Sequence, residues 1–236
     1  MPGRGPTRPT GRMAAKRVRT ARGRPTSSTQ WLRRQLNDPY VAEAKKLGYR
    51  SRAAFKLLQL DERFGILTQG MRVVDLGAAP GGWTQVALDT VGPSGQVVAV
   101  DIAEMPPLGA ATVLTLDFLD DAGPDTIRSA LGGPADLVLS DMAAPTVGHA
   151  ATEHLRILAL AEAAHLFATE VLAPGGGFVC KLFQGGAQKD LLDALKRDFR
   201  QVRHAKPAAS RAESSELYLV AQGFRGGAAP ATRPIS

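Results

Sequence analysis

From residue 71 onward, the chain alternates between short apolar runs and longer segments whose apolar residues have helical spacing. The short runs predict buried strands at residues 73–74, 97–100, 113–116, 137–139, 178–183 and 217–220. The longer segments predict helices at residues 82–91, 151–172 and 188–199. This alternation indicates βαβ units, so we expect an α/β fold with a mostly parallel sheet and helices on both of its faces.

Two shorter helices are predicted before the first strand. Asp38 is suited to cap a helix that begins at Pro39, and Gly48 is suited to end it. A second helix is expected within residues 53–64, followed by Gly65.

Basic residues are concentrated at the amino terminus. Residues 1–28 contain eight Arg and Lys side chains and no acid, although the net charge of the whole chain is only +7. Prolines and glycines break this stretch, so we expect disorder and a possible arm for nucleic acid. The alternative is an organellar transit peptide, which the same prolines and glycines oppose. We divide the chain into a disordered basic tail at 1–29, a folded domain at 30–223 and a flexible tail at 224–236.

Cysteine content and hydropathy bear on the compartment. The single cysteine, Cys180, cannot form an internal disulfide, and its apolar surroundings predict a buried thiol. No stretch free of charged residues reaches the roughly 18 residues that a membrane-spanning helix needs. We therefore expect a cytoplasmic protein without membrane contact, and we assign no residue to a metal.

A glycine-rich loop follows the first predicted strand. The sequence from Val73 to Trp83, VVDLGAAPGGW, has the strand–turn–helix order of a Rossmann-type nucleotide site, but its spacing is not G-x-G-x-x-G. The carboxylate of Asp75 would repel a pyrophosphate and attract a cation. S-adenosylmethionine carries an ammonium and a sulfonium and no phosphate. The loop therefore favours methyl transfer over the hydride transfer of a nicotinamide-dependent oxidoreductase, and we include Asp75 and Gly77 among the cofactor-binding candidates.

Two further acids lie at the ends of predicted strands. Asp101 follows Gly77 by 24 residues, the usual position for a carboxylate that accepts hydrogen bonds from ribose hydroxyls. Asp117 ends the next strand in the same way. The alternative is that such acids are solvated turn residues.

Three charged residues stand beside or within apolar runs. Lys181 interrupts the strand at 178–183, Asp141 follows the strand at 137–139, and Glu216 precedes the strand at 217–220. Burying a lysine without partners is costly, so Lys181 requires nearby carboxylates or a catalytic role. The alternatives are a buried ion-pair network without chemistry and a lysine that extends from the strand end to solvent.

These features resemble a known family, the FtsJ/RlmE-type RNA ribose 2′-O-methyltransferases. Five blocks between Trp31 and Gly223 carry the resemblance in the family's order: Arg50–Leu57 (RSRAAFKL), Val74–Trp83 (VDLGAAPGGW), Ser140–Ala143 (SDMA), Val179–Gly185 (VCKLFQG) and Ser210–Tyr218 (SRAESSELY). The resemblance implies a Rossmann-like class I methyltransferase fold with a seven-stranded sheet, and it makes residues 30–223 the catalytic domain.

The resemblance also implies roles for single residues. The family's catalytic Lys-Asp-Lys-Glu tetrad matches Lys56, Asp141, Lys181 and Glu216. Its contacts to S-adenosylmethionine match Gly81, Trp83, Asp101, Asp117 and Asp141. The chain departs from many relatives at residues 143–146, where AAPT replaces a single alanine followed by Pro-Asn, and Glu213 competes with Glu216 for the fourth position.

The expected reaction is in-line attack of a ribose 2′-hydroxyl on the sulfonium methyl group. Such a hydroxyl is a poor nucleophile while protonated, so we hypothesise that Lys181 orients it and accepts its proton. Resemblance to bacterial members implies a uridine in the A-loop of 23S rRNA, within the large (50S) subunit, and we expect a monomer. The alternatives are a tRNA methyltransferase of the same family and a catalytically silent RNA-binding module for ribosome assembly.

RNA contacts are expected from two basic clusters near tetrad residues in the sequence. The first comprises Arg33, Arg34, Lys45, Lys46, Arg50 and Arg52, and the second Lys196, Arg197, Arg200, Arg203, Lys206 and Arg211. The alternative is solvated surface charge. Reversing the charge of Arg33 and Arg34 together should weaken RNA binding and leave cofactor affinity unchanged.

Overall fold

A computed structural model describes residues 35–144, 148–185 and 188–226. Seven strands form one sheet: β1 (Arg72–Leu76), β2 (Gln96–Asp101), β3 (Thr112–Thr115), β4 (Ala135–Ser140), β5 (Leu172–Phe183), β6 (Phe199–Ala205) and β7 (Glu216–Phe224). The helices that accompany them are α1 (Pro39–Leu47), α2 (Ala54–Phe64), α3 (Gly82–Val91), α4 (Gly123–Leu131), α5 (Ala150–Val171) and α6 (Lys189–Asp198).

The strand order is β3-β2-β1-β4-β5-β7-β6. Strands β1 to β5 pair in parallel, whereas β7 runs antiparallel to both β5 and β6. The expected α/β class and the mostly parallel seven-stranded sheet are therefore confirmed. The carboxyl ends of β1, β2, β4 and β5 meet at one edge, the edge at which open α/β sheets bind ligands.

The predicted signals at the ends of the first two helices are confirmed. The carboxylate of Asp38 accepts a hydrogen bond of 3.0 Å from the backbone N–H of Tyr40, which caps α1. Gly48 and Gly65 end α1 and α2 in the left-handed conformation, where a residue without a Cβ avoids strain.

Two elements were missed by the sequence analysis. Helix α4 has Pro124 in its first turn and Gly132 after its last residue, and both are sequence signals of helix ends. Strand β6 is the edge strand, and most of its side chains are exposed. Its sequence FRQVRHA lacks the apolar alternation that identifies a half-buried strand.

The sheet separates two apolar cores. Helices α4, α5 and α6 pack on one face against residues such as Val74 and Phe178. Helices α2 and α3 pack on the other face, around Val73, Val179 and Tyr218. Cys180 is fully buried, as predicted. Within the residues that the structure describes, no helix combines the length and apolar character needed to cross a bilayer.

The chain ends extend beyond the described ranges. The predicted basic tail at 1–29 lies outside them, as do residues 227–236 of the predicted C-terminal tail. Strand β7 continues to Phe224, one residue past the predicted end of the folded domain at Gly223.

Candidate active site

A pocket of about 700 Å³ opens at the carboxyl edge of the sheet. The loops that follow β1, β2, β3 and β4 form most of its wall, and the first half of α5 completes it. Four predicted site residues line it, namely Gly77, Asp101, Asp117 and Asp141. The apolar side chains of Ile102 and Leu119 also line it and are 70% and 57% exposed.

The glycine loop lies close to the segment that follows β4. Gly77 has a φ of +76°, and a Cβ there would lie 2.8 Å from the Cα of Met142. Gly81 has a φ of +106° and precedes the first residue of α3. Any larger residue at position 77 would displace the backbone that carries Asp141, so the loop requires glycine there.

Asp101 and Asp117 order the pocket wall through their carboxylates. Asp101 accepts hydrogen bonds of 2.9 Å from the N–H of Ala79 and 2.8 Å from that of Ala103. Asp117 accepts one of 2.9 Å from the N–H of Leu119. Because a carboxylate has about four acceptor sites, both acids retain capacity for ligand hydroxyl groups.

Asp75 does not reach the pocket. Its side chain is fully buried and accepts a hydrogen bond of 2.7 Å from the hydroxyl of Thr84. Burial, with smaller contributions from the charges of Asp141 and Asp101, raises the pKa of Asp75 to about 7 despite that hydrogen bond. The interpretation of Asp75 as a charge that faces the ligand is therefore corrected, because its carboxylate is buried and bonds to Thr84 of α3 instead.

The four tetrad residues come together in one network, although they lie far apart in the sequence. Lys56 Nζ is 2.8 Å from Oε2 of Glu216 and 4.0 Å from Oδ2 of Asp141. Lys181 Nζ is 3.2 Å from Oδ1 of Asp141 and donates a hydrogen bond of 2.6 Å to the backbone carbonyl of Asp141. Both lysines are buried, so each has the carboxylate partner that burial demands.

Asp141 is the centre of this network. Burial raises the pKa of Asp141, but the ammonium groups of Lys181 and Lys56 and a hydrogen bond from Tyr218 outweigh it, and the net shift is downward. The carboxylate therefore stays ionised at neutral pH, and it holds both lysines at the carboxyl edge of the sheet.

Tyr218 is a site residue that the sequence analysis missed. Its hydroxyl donates a hydrogen bond of 2.8 Å to Oδ1 of Asp141 and accepts one of 3.0 Å from Lys56. Burial and the charges of Asp141 and Glu216 raise the pKa of Tyr218 well above its ordinary value, so the phenol stays protonated. The residue lies in the predicted strand at 217–220, and its apolar neighbours gave no signal that its hydroxyl faces the tetrad.

The competition between Glu213 and Glu216 is resolved by position. Glu216 accepts a hydrogen bond of 2.7 Å from the hydroxyl of Ser210, while its other carboxylate oxygen is bound by Lys56. Glu213 is exposed on the loop before β7. Of the two acids, Glu216 is the one that contacts Lys56, and its catalytic role stays a prediction.

Trp83 and Gly81 are not among the residues that line the pocket. The indole of Trp83 is buried, its N–H donates a hydrogen bond of 2.8 Å to the carbonyl of Ala53, and its ring lies 5.6 Å from that of Tyr218. Gly81 lies next to Arg50 and Met105. Direct contact of these two residues with a cofactor stays a prediction.

Several members of the two basic clusters form hydrogen bonds or ion pairs with distant segments of the chain. Arg50 donates hydrogen bonds of 2.8 Å to the carbonyls of both Pro106 and Pro107, in the loop between β2 and β3. Arg52 and Arg211 both pair with Asp38, at 3.0 and 3.4 Å.

The remaining members differ in their surroundings. Arg197 pairs with Asp198 at 3.0 Å, and Lys206 donates to the carbonyl of Ser214 at 2.7 Å. Lys45 and Arg200 are exposed. Arg33 and Arg34 lie outside the described residues, so their expected part in RNA binding stays a prediction.

Comparison with known proteins gives consistent matches over most of the chain. The sequence model of the FtsJ-like methyltransferases matches residues 49–224. The ribosomal RNA large subunit methyltransferase E of Paramagnetospirillum magneticum is 65% identical over 215 residues, which cover 89% of this chain and 88% of that protein. Its namesake in Rhodospirillum rubrum is 62% identical over 214 residues, covering 89% and 81%.

A solved structure is also similar. The crystal structure of a Plasmodium falciparum protein described as a ribosomal RNA methyltransferase superposes with a TM-score of 0.69 at 28% identity, covering 76% of this chain and 100% of that one. The range matched by the family includes all four residues of the tetrad network.

Proposed function

Because the chain belongs to the FtsJ-like methyltransferase family, as its five sequence blocks indicated, we propose that it methylates an RNA ribose from S-adenosylmethionine. The acceptor we propose is the 2′-hydroxyl of a uridine in the A-loop of 23S rRNA. The observation that carries the proposal is the network of Lys56, Asp141, Lys181 and Glu216 beside a pocket lined by carboxylates.

The pocket suits S-adenosylmethionine by its chemistry. Asp101 and Asp117 offer acceptors for ribose hydroxyls, and the exposed side chains of Ile102 and Leu119 offer apolar surface for a purine. The ionised Asp141 favours the positive end of the ligand. A bound S-adenosylmethionine would supply an electrophilic methyl group on its sulfonium.

We propose that Lys181 acts on the ribose hydroxyl. To accept the proton of that hydroxyl, the ammonium of Lys181 must first release one of its own protons to solvent, which leaves two N–H groups and one lone pair. The carbonyl and Oδ1 of Asp141 are positioned to accept both N–H groups, at 2.6 and 3.2 Å. That arrangement leaves the lone pair of Lys181 for the proton of the 2′-hydroxyl, and Lys56, Tyr218 and Glu216 hold Asp141 in place for it.

The relatives support ribosomal RNA as the substrate. The two proteins that are 65% and 62% identical are both named as large-subunit ribosomal RNA methyltransferases. We extend that substrate to this chain, with the large (50S) subunit as its partner, and we propose that the protein acts as a monomer in the cytoplasm.

Methyl transfer to defined RNAs tests the proposal. The protein is incubated with labelled S-adenosylmethionine and either large-subunit particles from cells that lack it, naked ribosomal RNA or tRNA, and the methylated nucleotide is mapped. We expect a single 2′-O-methyluridine in the A-loop. Label in tRNA alone would support the tRNA alternative, and binding to particles without any label would support the silent assembly module.

A further inference from the structure

Arg156 lies at the pocket and has no partner within the described part of the chain. It lies in the first two turns of α5, lines the pocket with Ala159 and Leu160, and is exposed. Among the residues that the structure describes, none forms a hydrogen bond or ion pair with its guanidinium. Two other arginines show the contrast, since Arg52 pairs with Asp38 and Arg128 with Asp125.

The other charges on the pocket wall have the opposite sign. Asp101, Asp117 and Asp141 all line the pocket, and Arg156 is the only lysine or arginine among the described residues that line it. A polyanionic RNA that brings a ribose to Lys181 must approach these three carboxylates. A cation on the rim offsets that repulsion at the point of entry.

The helix that carries Arg156 is fixed to the core. Ile157 and Ala161 are 3% and 2% exposed and belong to the apolar cluster on that face of the sheet. The backbone of Arg156 is therefore held in place, while its side chain extends from a rigid base. A planar guanidinium presents its N–H groups in a fork that matches phosphate oxygens.

We propose that Arg156 binds a backbone phosphate of the RNA close to the nucleotide that is methylated. This inference rests on the proposed function. A phosphate fits better than the carboxylate of the cofactor because Arg156 is exposed on α5, whereas the loops at the strand ends form most of the pocket wall.

The test compares Arg156→Gln with Arg72→Gln. Arg72 is an exposed arginine at the first residue of β1. It lies at the amino end of the strand, whereas the pocket lies beyond the carboxyl end, so the control removes one positive charge far from the pocket. Binding of S-adenosylhomocysteine is measured by calorimetry. Binding of large-subunit particles from cells lacking the enzyme is measured at several salt concentrations, without turnover.

For Arg156→Gln, we expect RNA binding to weaken about fivefold at moderate salt, and the slope of log K against log salt to fall by about one. Arg72→Gln should retain the wild-type slope, and both variants should bind S-adenosylhomocysteine like the wild type. Weaker binding of S-adenosylhomocysteine with unchanged RNA binding would assign Arg156 to the cofactor and overturn the proposal. Wild-type RNA binding by Arg156→Gln would also overturn it.

Failure of the proposed function would be seen separately. In that case the wild-type protein transfers no methyl group to the particles, whereas the binding comparison needs no turnover and still reports on Arg156.

Discussion

The hydroxyl of Tyr218 donates a hydrogen bond of 2.8 Å to Oδ1 of Asp141, the carboxylate oxygen that also lies 3.2 Å from Lys181 Nζ. Tyr218 of β7 thus helps to fix the position of the Asp141 carboxylate, which in turn positions Lys181 of β5. Because Tyr218 pairs directly with Lys181 in the register of the two strands, a displacement of either strand would disturb this contact.

Tyr218→Phe should slow methyl transfer without preventing folding. The variant keeps the ring that packs against Trp83 but removes a hydrogen bond to a charged group, which contributes roughly 1.5–3 kcal/mol. We expect kcat to fall at least about tenfold, with little change in cofactor affinity. The matched control is Tyr40→Phe, whose hydroxyl accepts a hydrogen bond from Gln59 away from the tetrad. Equal kcat values for both variants would remove Tyr218 from the positioning of Asp141.

Lys181→Ala should abolish most of the methyl transfer. Loss of a group that orients the hydroxyl and accepts its proton costs roughly 10²–10⁴ in rate. Single-turnover rates with saturating RNA measure this, and calorimetry with S-adenosylhomocysteine should show intact cofactor binding. Lys189→Ala, which removes an exposed lysine from the first residue of α6, serves as the control. Near-normal rates for Lys181→Ala would make the role assigned to this lysine wrong.

Local patterns predicted most of the fold. Capping residues and glycines located α1 and α2, and buried strands produced apolar runs because both of their faces are covered. Edge strand β6 could not be found in this way, since exposed residues on an edge carry no apolar periodicity. Only the three-dimensional pairing of β6 with β7 reveals it.

The sequence predicted which charged residues belong to the candidate site, but it did not predict which side chains they contact. Lys181 was conspicuous because a lysine interrupts an apolar strand, and Lys56 followed from resemblance alone, since it lies in an ordinary amphipathic helix. Tyr218 looked like a core aromatic, and Asp75 looked like a ligand contact. Their true surroundings depend on neighbours that are distant in the sequence or on the opposite side of the loop.

Asp75→Asn should change stability in a way that depends on pH. The folded-state pKa of Asp75 is raised from 3.8 to about 7, so its contribution to stability is complete below pH 4 and is lost as the pH rises towards 7. Asparagine does not ionise. Relative to the wild type, the variant should therefore gain stability between pH 4 and pH 7, by at most on the order of 4 kcal/mol, and should gain no more above that range.

Urea denaturation at a series of pH values measures this gain. Asp120→Asn, at an exposed position, should show no comparable trend. A stability difference between Asp75→Asn and the wild type that is constant from pH 4 to pH 8 would contradict the upward pKa shift.

His165 should produce the opposite trend. Burial lowers the pKa of His165 below its ordinary value of 6.5, although Asp198 at 3.0 Å opposes the shift. A histidine whose folded pKa is lowered stabilises the protein while neutral, and this contribution is lost as the pH falls below about 6.5.

His165→Leu removes the titrating ring and leaves Asp198 paired with Arg197. The urea-denaturation free energy of the variant should therefore decline less than that of the wild type between pH 7 and pH 5. His204→Gln, at an exposed position on β6, should follow the wild-type curve, and parallel curves for His165→Leu and the wild type would show that His165 is not the group responsible.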